Sequence, residues 1–284
     1  MTEIIIDSVI DSIKLLPFLF LTYLFMEWLE HKTGSAARNR IRTAGKLGPV
    51  WGGLLGVIPQ CGFSAAASSL FTGRVITVGT LIAVYLSTSD EMLPIMISNA
   101  VPSATIIKIL ACKAAIGIIS GLAAEYVYTH VLKKQEKEID IHEICEEERC
   151  NCEHGLLSSA LTHTLHVFVY IFLISQALKI INGLLVEETL AGLFTGAPIV
   201  GELIAALVGL IPNCASSVVI TQLYLEHIIG AGAMMAGLLV NAGVGILILF
   251  RLNHDRKQNF RIIGLLYGLG VFWGIIIELT GIVF

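Results

Sequence analysis

Charge is what this sequence has least of. Asp, Glu, Lys and Arg make up 14% of its 284 residues, hydrophobic residues make up 55%, and the mean hydropathy is +0.81. Soluble domains carry about 25% charged residues, so composition excludes that class and points to an integral membrane protein. With 18 basic against 22 acidic residues the net charge is -4, without the basic surplus of a nucleic-acid binder. No Walker-type phosphate loop is present, which leaves no visible coupling to nucleotide hydrolysis. The opening Met1-Thr2-Glu3-Ile4-Ile5-Ile6-Asp7 lacks a basic n-region, so the first apolar segment is expected to stay in place rather than be cleaved. The six cysteines lack the spacing of a disulfide framework. Cys61, Cys112 and Cys214 fall in apolar stretches, while Cys145, Cys150 and Cys152 crowd one polar loop, which suggests thiol or metal chemistry in a reducing compartment.

What the chain has in abundance is apolar length. Segments near 10–29, 48–73, 76–98, 103–128, 163–185, 200–225, 228–250 and 261–283 each approach or exceed the ~20 residues that cross a bilayer as helix. Lipid offers no partner to an open backbone, and the runs are too long and too continuously apolar for barrel strands, so the fold class is all-α.

The chain also says one thing twice. Gly56-Val57-Ile58-Pro59-Gln60-Cys61 returns as Gly209-Leu210-Ile211-Pro212-Asn213-Cys214, and the register of about 153 positions holds well beyond the motif. Ser64 meets Ser217, Gly79 meets Gly232, Ala83 meets Ala236, Lys108 meets Arg261, Gly117 meets Gly270, Gly121 meets Gly274 and Glu125 meets Glu278. Such a register across several helices indicates an internal duplication. The expected layout is a first transmembrane repeat over 1–130, a Cys/His-rich linker over 131–160 and a second repeat over 161–284.

The relative sense of the repeats turns on 48–73 and 200–225. As single spans they give four helices per half and parallel repeats. Folded at Pro59-Gln60 and Pro212-Asn213 into hairpins, they give five elements per half, about ten helices in all, and inverted repeats. Proline lacks the N–H that continues a helix, which makes a break there reasonable. Charge bias favours the hairpins. They gather Lys32, Arg38, Arg40, Arg42, Lys46, Arg74, Lys133, Lys134, Lys137, Arg149, Arg251, Arg256 and Lys257 on the cytoplasmic side and leave Asp7, Asp11, Glu187 and Glu188 opposite. The expectation is a multi-pass cell-membrane protein with both termini outside and the Cys-rich loop in the cytoplasm.

Three constellations carry chemistry. Within the third segment, Ser87-Thr88-Ser89-Asp90-Glu91-Met92-Leu93-Pro94 places two carboxylates inside an apolar run. A membrane-embedded acid costs several kcal/mol unless it has a partner or water, which marks Asp90 and Glu91 as functional candidates. The repeat-equivalent Asn241-Ala242-Gly243-Val244 has no acid, so the two halves have diverged here, with Asn241 at the position of Thr88. At the hairpin tips, Gln60, Cys61, Ser64, Asn213, Cys214, Ser216 and Ser217 offer amides, hydroxyls and thiols, and a broken helix adds free backbone groups that can coordinate a desolvated ion. The alternative is that the amides only satisfy the broken backbone and the cysteines are core packing. In the linker, His142, Cys145, Cys150, Cys152 and His154 suit a soft or tetrahedral metal, or else belong to a solvated connection. Gly117/Gly121 and Gly270/Gly274 form small-xxx-small faces that seat helix on helix. Glu125 and Glu278 lie near helix ends where they reach water, and Lys14 and Lys108 snorkel.

These motifs, with Leu16-Pro17-Phe18-Leu19-Phe20-Leu21-Thr22-Tyr23 leading to Glu30-His31-Lys32, resemble a ten-helix heavy-metal exporter family over nearly the whole chain. That family is distantly similar to the arsenical permeases and is also described as arsenic efflux proteins or manganese transporters. The resemblance implies ten helices, which eight long segments with two folded double would supply, and a metal or metalloid ion as the partner in transport. Ligand chemistry leaves the ion open. Thiols suit arsenite or a Zn-like ion, whereas Mn(II) prefers the oxygens of Asp90, Gln60 and Asn213. A secondary transporter without cofactor is expected, with tips meeting near the midplane and Asp90, with or without Glu91, binding the cation or exchanging a proton for it. A transporter of small polar organic solutes and a membrane enzyme with Cys61 or Cys214 as nucleophile are the alternatives. The latter lacks a Cys/His pair within the apolar segments.

Overall fold

The computed structural model describes residues 47–58, 61–89, 92–131, 200–282 and 284, with isolated positions between 17 and 24 and between 161 and 173. The described residues are helices and turns, with no strand among them. In the first half they form α1 (Gly48–Gly56), α2 (Cys61–Thr72), α3 (Val78–Ser87), α4 (Met92–Ser98) and α5 (Ser103–Tyr126), the last running on into a π-type turn over Val127–Val131. The second half gives α6 (Val200–Gly209), α7 (Cys214–Leu225), α8 (Ala231–Val240), α9 (Gly245–Leu252) and α10 (Arg256–Thr280).

Local signals set the ends. Thr77 caps α3 by accepting from the Thr80 N–H (3.2 Å), and Asp255 caps α10 by accepting from Gln258 N–H (3.0 Å). The second cap starts the last span at Arg256, earlier than the apolar run at 261 suggests, because a polar first turn costs nothing at the membrane edge. Gly281, at φ 64°, ends α10.

Among the described residues, four stretches are long and apolar enough to cross a bilayer: Val78–Ser98, Ser103–His130, Ala231–Leu252 and Arg256–Thr280. The first and third are mostly buried and the other two mostly exposed, so an outer pair flanks an inner pair. Each inner span is interrupted. The first stops at Ser87 and resumes at Met92, where the sequence has its polar break. The second stops at Val240 and resumes at Gly245, although the sequence there is apolar apart from Asn241. Asn241 makes this break possible by accepting from the Gly243 N–H (3.0 Å), with Gly243 at φ 52°.

The register of 153 is written into the packing. The α2–α3 turn is closed by Gly73 N–H to Ser69, Arg74 N–H to Phe71 and Val75 N–H to Leu70, and the α7–α8 turn by Glu226 to Gln222, His227 to Tyr224 and Ile228 to Leu223. Arg74 and His227 share the left-handed conformation, at φ 57° and 58°. A Cβ on Gly121 would lie 2.6 Å from the Gly79 carbonyl oxygen, and one on Gly274 would lie 2.8 Å from that of Gly232. The glycine faces therefore do seat α5 on α3 and α10 on α8.

Interruptions also separate α1 from α2 and α6 from α7. Gly48 adjoins Thr80 and Gly56 adjoins Ser87, so α1 runs with α3. Ser68 of α2 meets Tyr85 of α3 at 2.7 Å, and five residues return Thr72 to Val78, so α2 runs against it. The second half repeats this, with Gly201 beside Ala233, Gly209 beside Gly237, and Ile220 of α7 also beside Gly237. The second arms then cross over: α2 packs on α9 and α7 on α4.

Candidate functional site at the helix breaks

The polar residues of the bundle interior collect around its interrupted helices. Ser64, Thr88, Asn213, Ser217 and Asn241 are all buried. A Cβ on Gly245 would lie 2.8 Å from the Ser64 carbonyl oxygen, so the start of α2 is pressed against the start of α9. Ser68, one turn along α2, stands 2.7 Å from each of the Ser64 carbonyl, the Gly245 carbonyl and the Tyr85 hydroxyl. With one proton to give, Ser68 shares it between the carbonyls and accepts from Tyr85, tying three helices at one point.

Most described hydroxyls here serve the backbone. Thr88 donates to the Val84 carbonyl (2.7 Å), Ser87 to those of Ala83 (2.8 Å) and Val84 (3.1 Å), and Ser216 to that of Asn213 (2.7 Å). Of these only Ser216 belongs to the tips, and its hydroxyl serves the broken backbone there. Two main-chain carbonyls near the breaks, those of Thr88 and Leu238, also face inward.

Those carbonyls meet a residue that sequence reasoning passed over. Lys113 lies midway along α5 and is 1% exposed. Its ammonium donates to the Thr88 carbonyl at the end of α3 (2.5 Å) and to the Leu238 carbonyl in the last turn of α8 (2.8 Å). A buried ammonium costs several kcal/mol, and hydrogen bonds from a charged group return roughly 1.5–3 kcal/mol each, so these contacts offset part of the cost of its burial. The signal was available. Lys113, Gly117 and Gly121 fall on one face at four-residue spacing, and the glycines mark that face as packed. Lys108, by contrast, is exposed, as snorkelling requires.

Glu125 and Glu278 lie near helix ends with partial or full access to solvent, as expected, but they also have a structural task. The Gly79 N–H donates to Glu125 Oε2 (3.1 Å) and the Gly232 N–H to Glu278 Oε2 (3.0 Å). Each carboxylate thus caps the N-terminus of the inner helix of its half, complementing the positive end of the dipole.

Other expected site residues lie outside the described residues: Gln60, Asp90, Glu91, and His142, Cys145, Cys150, Cys152 and His154 of the linker. Cys61 and Cys214 open α2 and α7, with their side chains undescribed. Among the described residues no three His, Cys, Asp or Glu side chains gather as a metal site.

Beyond the breaks, a cavity of about 680 Å³ opens where Met96, Val101 and Pro102 meet Tyr224, His227, Gly230 and Glu278. At the other end of the bundle Tyr128 lies close enough to Arg261 and Asp255 to feel both charges. Trp273 of α10 donates to the Ser120 hydroxyl of α5 (2.9 Å), joining the outer spans.

No curated protein and no solved structure matches the chain. One family model does, over residues 1–192, which takes in α1 to α5, Asp90, Glu91 and the Cys-rich segment. A multi-pass bundle with interrupted inner spans, matched by that model over most of its length, belongs to the family described as "Putative, 10TM heavy-metal exporter".

Proposed function

We propose that the protein is a secondary transporter that exports a heavy-metal or metalloid ion, in the range of arsenite, Mn(II) and Zn(II). The observation that carries this reading is the meeting of two interrupted spans in a buried polar centre, the arrangement in which transporters bind solute near the midplane. Membership of an exporter family supports transport over enzyme chemistry.

In this account the repeats, 1–130 and 161–284, are inverted and joined by the 131–160 linker. Two juxtapositions support inversion. The cavity brings the α4–α5 turn of the first half beside the start of α8 and the end of α10. Tyr128 at the end of α5 neighbours the start of α10. Parallel repeats would put each pair on opposite membrane faces. Arg74, Arg251, Arg256, Lys257 and Arg261 then fall toward one face and Glu202, Glu226 and Glu278 toward the other, and the basic face is cytoplasmic by the positive-inside rule. The termini are outside and the linker cytoplasmic.

Asp90 supplies the negative charge for the cation or exchanges a proton for it, with Glu91 beside it. Gln60, Cys61, Ser64, Thr88, Asn213, Cys214, Ser217 and Asn241 surround the solute path. His142, Cys145, Cys150, Cys152 and His154 capture or sense the metal before transport. Cells with and without the gene, loaded with arsenite, Mn(II) or Zn(II), should differ in retained metal for one of the three. Asp90→Asn, Cys61→Ala and Cys214→Ala should impair that export. Normal export by all three variants would rule out the proposed site.

A further inference from the structure

The two halves treat their equivalent gaps differently. α2 and α9 run from the breaks toward the cytoplasmic face, and α7 and α4 run from the breaks toward the outer one, each pair taking one arm from either repeat. Ser68 ties the first pair, meeting the Gly245 carbonyl of α9 and the Tyr85 hydroxyl of α3 at 2.7 Å each. Gly245 lets the two backbones close, since a Cβ there would stand 2.8 Å from the Ser64 carbonyl oxygen. Phe71, on the same side of α2 as Ser68, is 8% exposed. The register of 153 gives the second pair none of these parts. Thr221 replaces Ser68 and donates back to the Ser217 carbonyl of its own helix (2.7 Å), Leu238 replaces Tyr85, and Met92 brings a side chain where Gly245 has none. Phe71 becomes Tyr224, which lines the cavity of about 680 Å³ together with Met96, Thr105, His227 and Glu278. That volume is in the range of sites that hold a solute. Met96 is one turn, about 6 Å, from Met92 at the start of α4, so the cavity reaches close to the break.

We propose that this cavity is the outer vestibule through which the transported ion leaves, and that the contact of α2 with α9, tied at Ser68, is the closed inner gate. The structure is then the outward-open form of a carrier whose two gaps open in turn. With the repeats inverted, the inward-open form exchanges their roles: α2 parts from α9, and α4 closes on α7. The ion and its direction rest on the export reading above. The alternation of the two gaps does not, and thiol labelling reads it without transport.

Phe71→Cys and Tyr224→Cys, each introduced as the only cysteine of the chain, report the two gaps. An impermeant thiol reagent should modify Tyr224→Cys rapidly from the outer face and Phe71→Cys slowly from the cytoplasmic face. Ser68→Ala should speed Phe71→Cys roughly fivefold, the factor that one lost hydrogen bond contributes to an opening equilibrium. Thr105→Trp wedges the vestibule open and should return Phe71→Cys in the Ser68→Ala chain to its slow rate, which mere loosening around Ser68 would not allow. Ile107→Trp, on the exposed face of the same helix, should leave the rate as it is. Equal modification of Phe71→Cys and Tyr224→Cys with Ser68 intact, or a Phe71→Cys rate indifferent to the wedge, would overturn the proposal. Should Ser68→Ala fail to fold, the comparison with Ser68 intact decides. Coupled labelling in a protein that exports none of the three ions would leave the gates standing and remove the export reading, whereas export with uncoupled labelling would do the reverse.

Discussion

The glycine seats offer a controlled test of the packing, because one of the two outer helices, α10, also carries glycines that touch nothing. A methyl group at Gly121 would stand 2.6 Å from the Gly79 carbonyl oxygen, 2.7 Å from the Ala83 Cβ and 3.1 Å from the Pro49 Cβ; at Gly274 it would stand 2.8 Å from the Gly232 oxygen and 2.6 Å from the Ala236 Cβ. Backbone cannot give way as a flexible side chain can, so α5 must lift from α3, or α10 from α8. Overpacking of this kind costs about 1–3 kcal/mol. Alanine recovers about 0.5–1 kcal/mol through its higher helix propensity. At Gly264 and Gly268, in the same helix as Gly274, an added methyl would meet no atom within 4 Å, so only the propensity gain remains. The comparison of Gly121→Ala and Gly274→Ala with Gly264→Ala and Gly268→Ala therefore isolates the contact, and the two pairs should differ by about 1–3 kcal/mol. At about 2–4 °C per kcal/mol, thermal unfolding in detergent should separate them by roughly 2–12 °C. Indistinguishable midpoints for the two pairs would refute the close approach of the outer spans to the inner ones.

Glu125→Gln and Glu278→Gln should each lower stability by about 0.5–2 kcal/mol, because a capped N-terminus loses its charge, and the effects should add since the caps serve different helices. A thermal-unfolding series with the double variant checks both points. Arg74→Cys and His227→Cys, introduced into a chain lacking other cysteines, occupy equivalent turns with equal backbone conformation. An impermeant maleimide should label Arg74→Cys only from the cytoplasmic face and His227→Cys only from the other, whereas labelling of both from one face would mean parallel repeats. Deleting residues 136–156 should reduce export at low metal concentration more than at high, if the loop captures metal. Unchanged export at both would reduce it to a linker.

Much of the architecture is legible in the sequence because lipid leaves the backbone few choices. Apolar length located the spans at 76–98 and 103–128, and the Gly/Glu register of 153 is reproduced by contacts as specific as Gly79 with Glu125 and Gly232 with Glu278. The break at 241–244 is harder to see, since a single Asn and a Gly mark it in an apolar run. Lys113 escaped for a similar reason. One lysine in an apolar helix reads the same whether it snorkels, as Lys108 does, or points inward. Only the glycines four and eight residues on tell which face it shares. The caps at Glu125 and Glu278 could not be read at all without knowing which helix starts beside them, because each partner lies 46 residues away. Placement of Gln60, Asp90, Glu91 and the linker thiols falls outside the described residues, so their roles rest on sequence and family.

Uptake of arsenite, Mn(II) and Zn(II) into inverted membrane vesicles tests the central claim most directly. Vesicles containing the protein should accumulate one of these ions above protein-free controls, accumulation should collapse when the ion and proton gradients are dissipated, and Asp90→Asn should abolish it while the protein remains folded in the membrane. No accumulation of any of the three, with folded protein in the vesicles and gradients intact, would contradict the account.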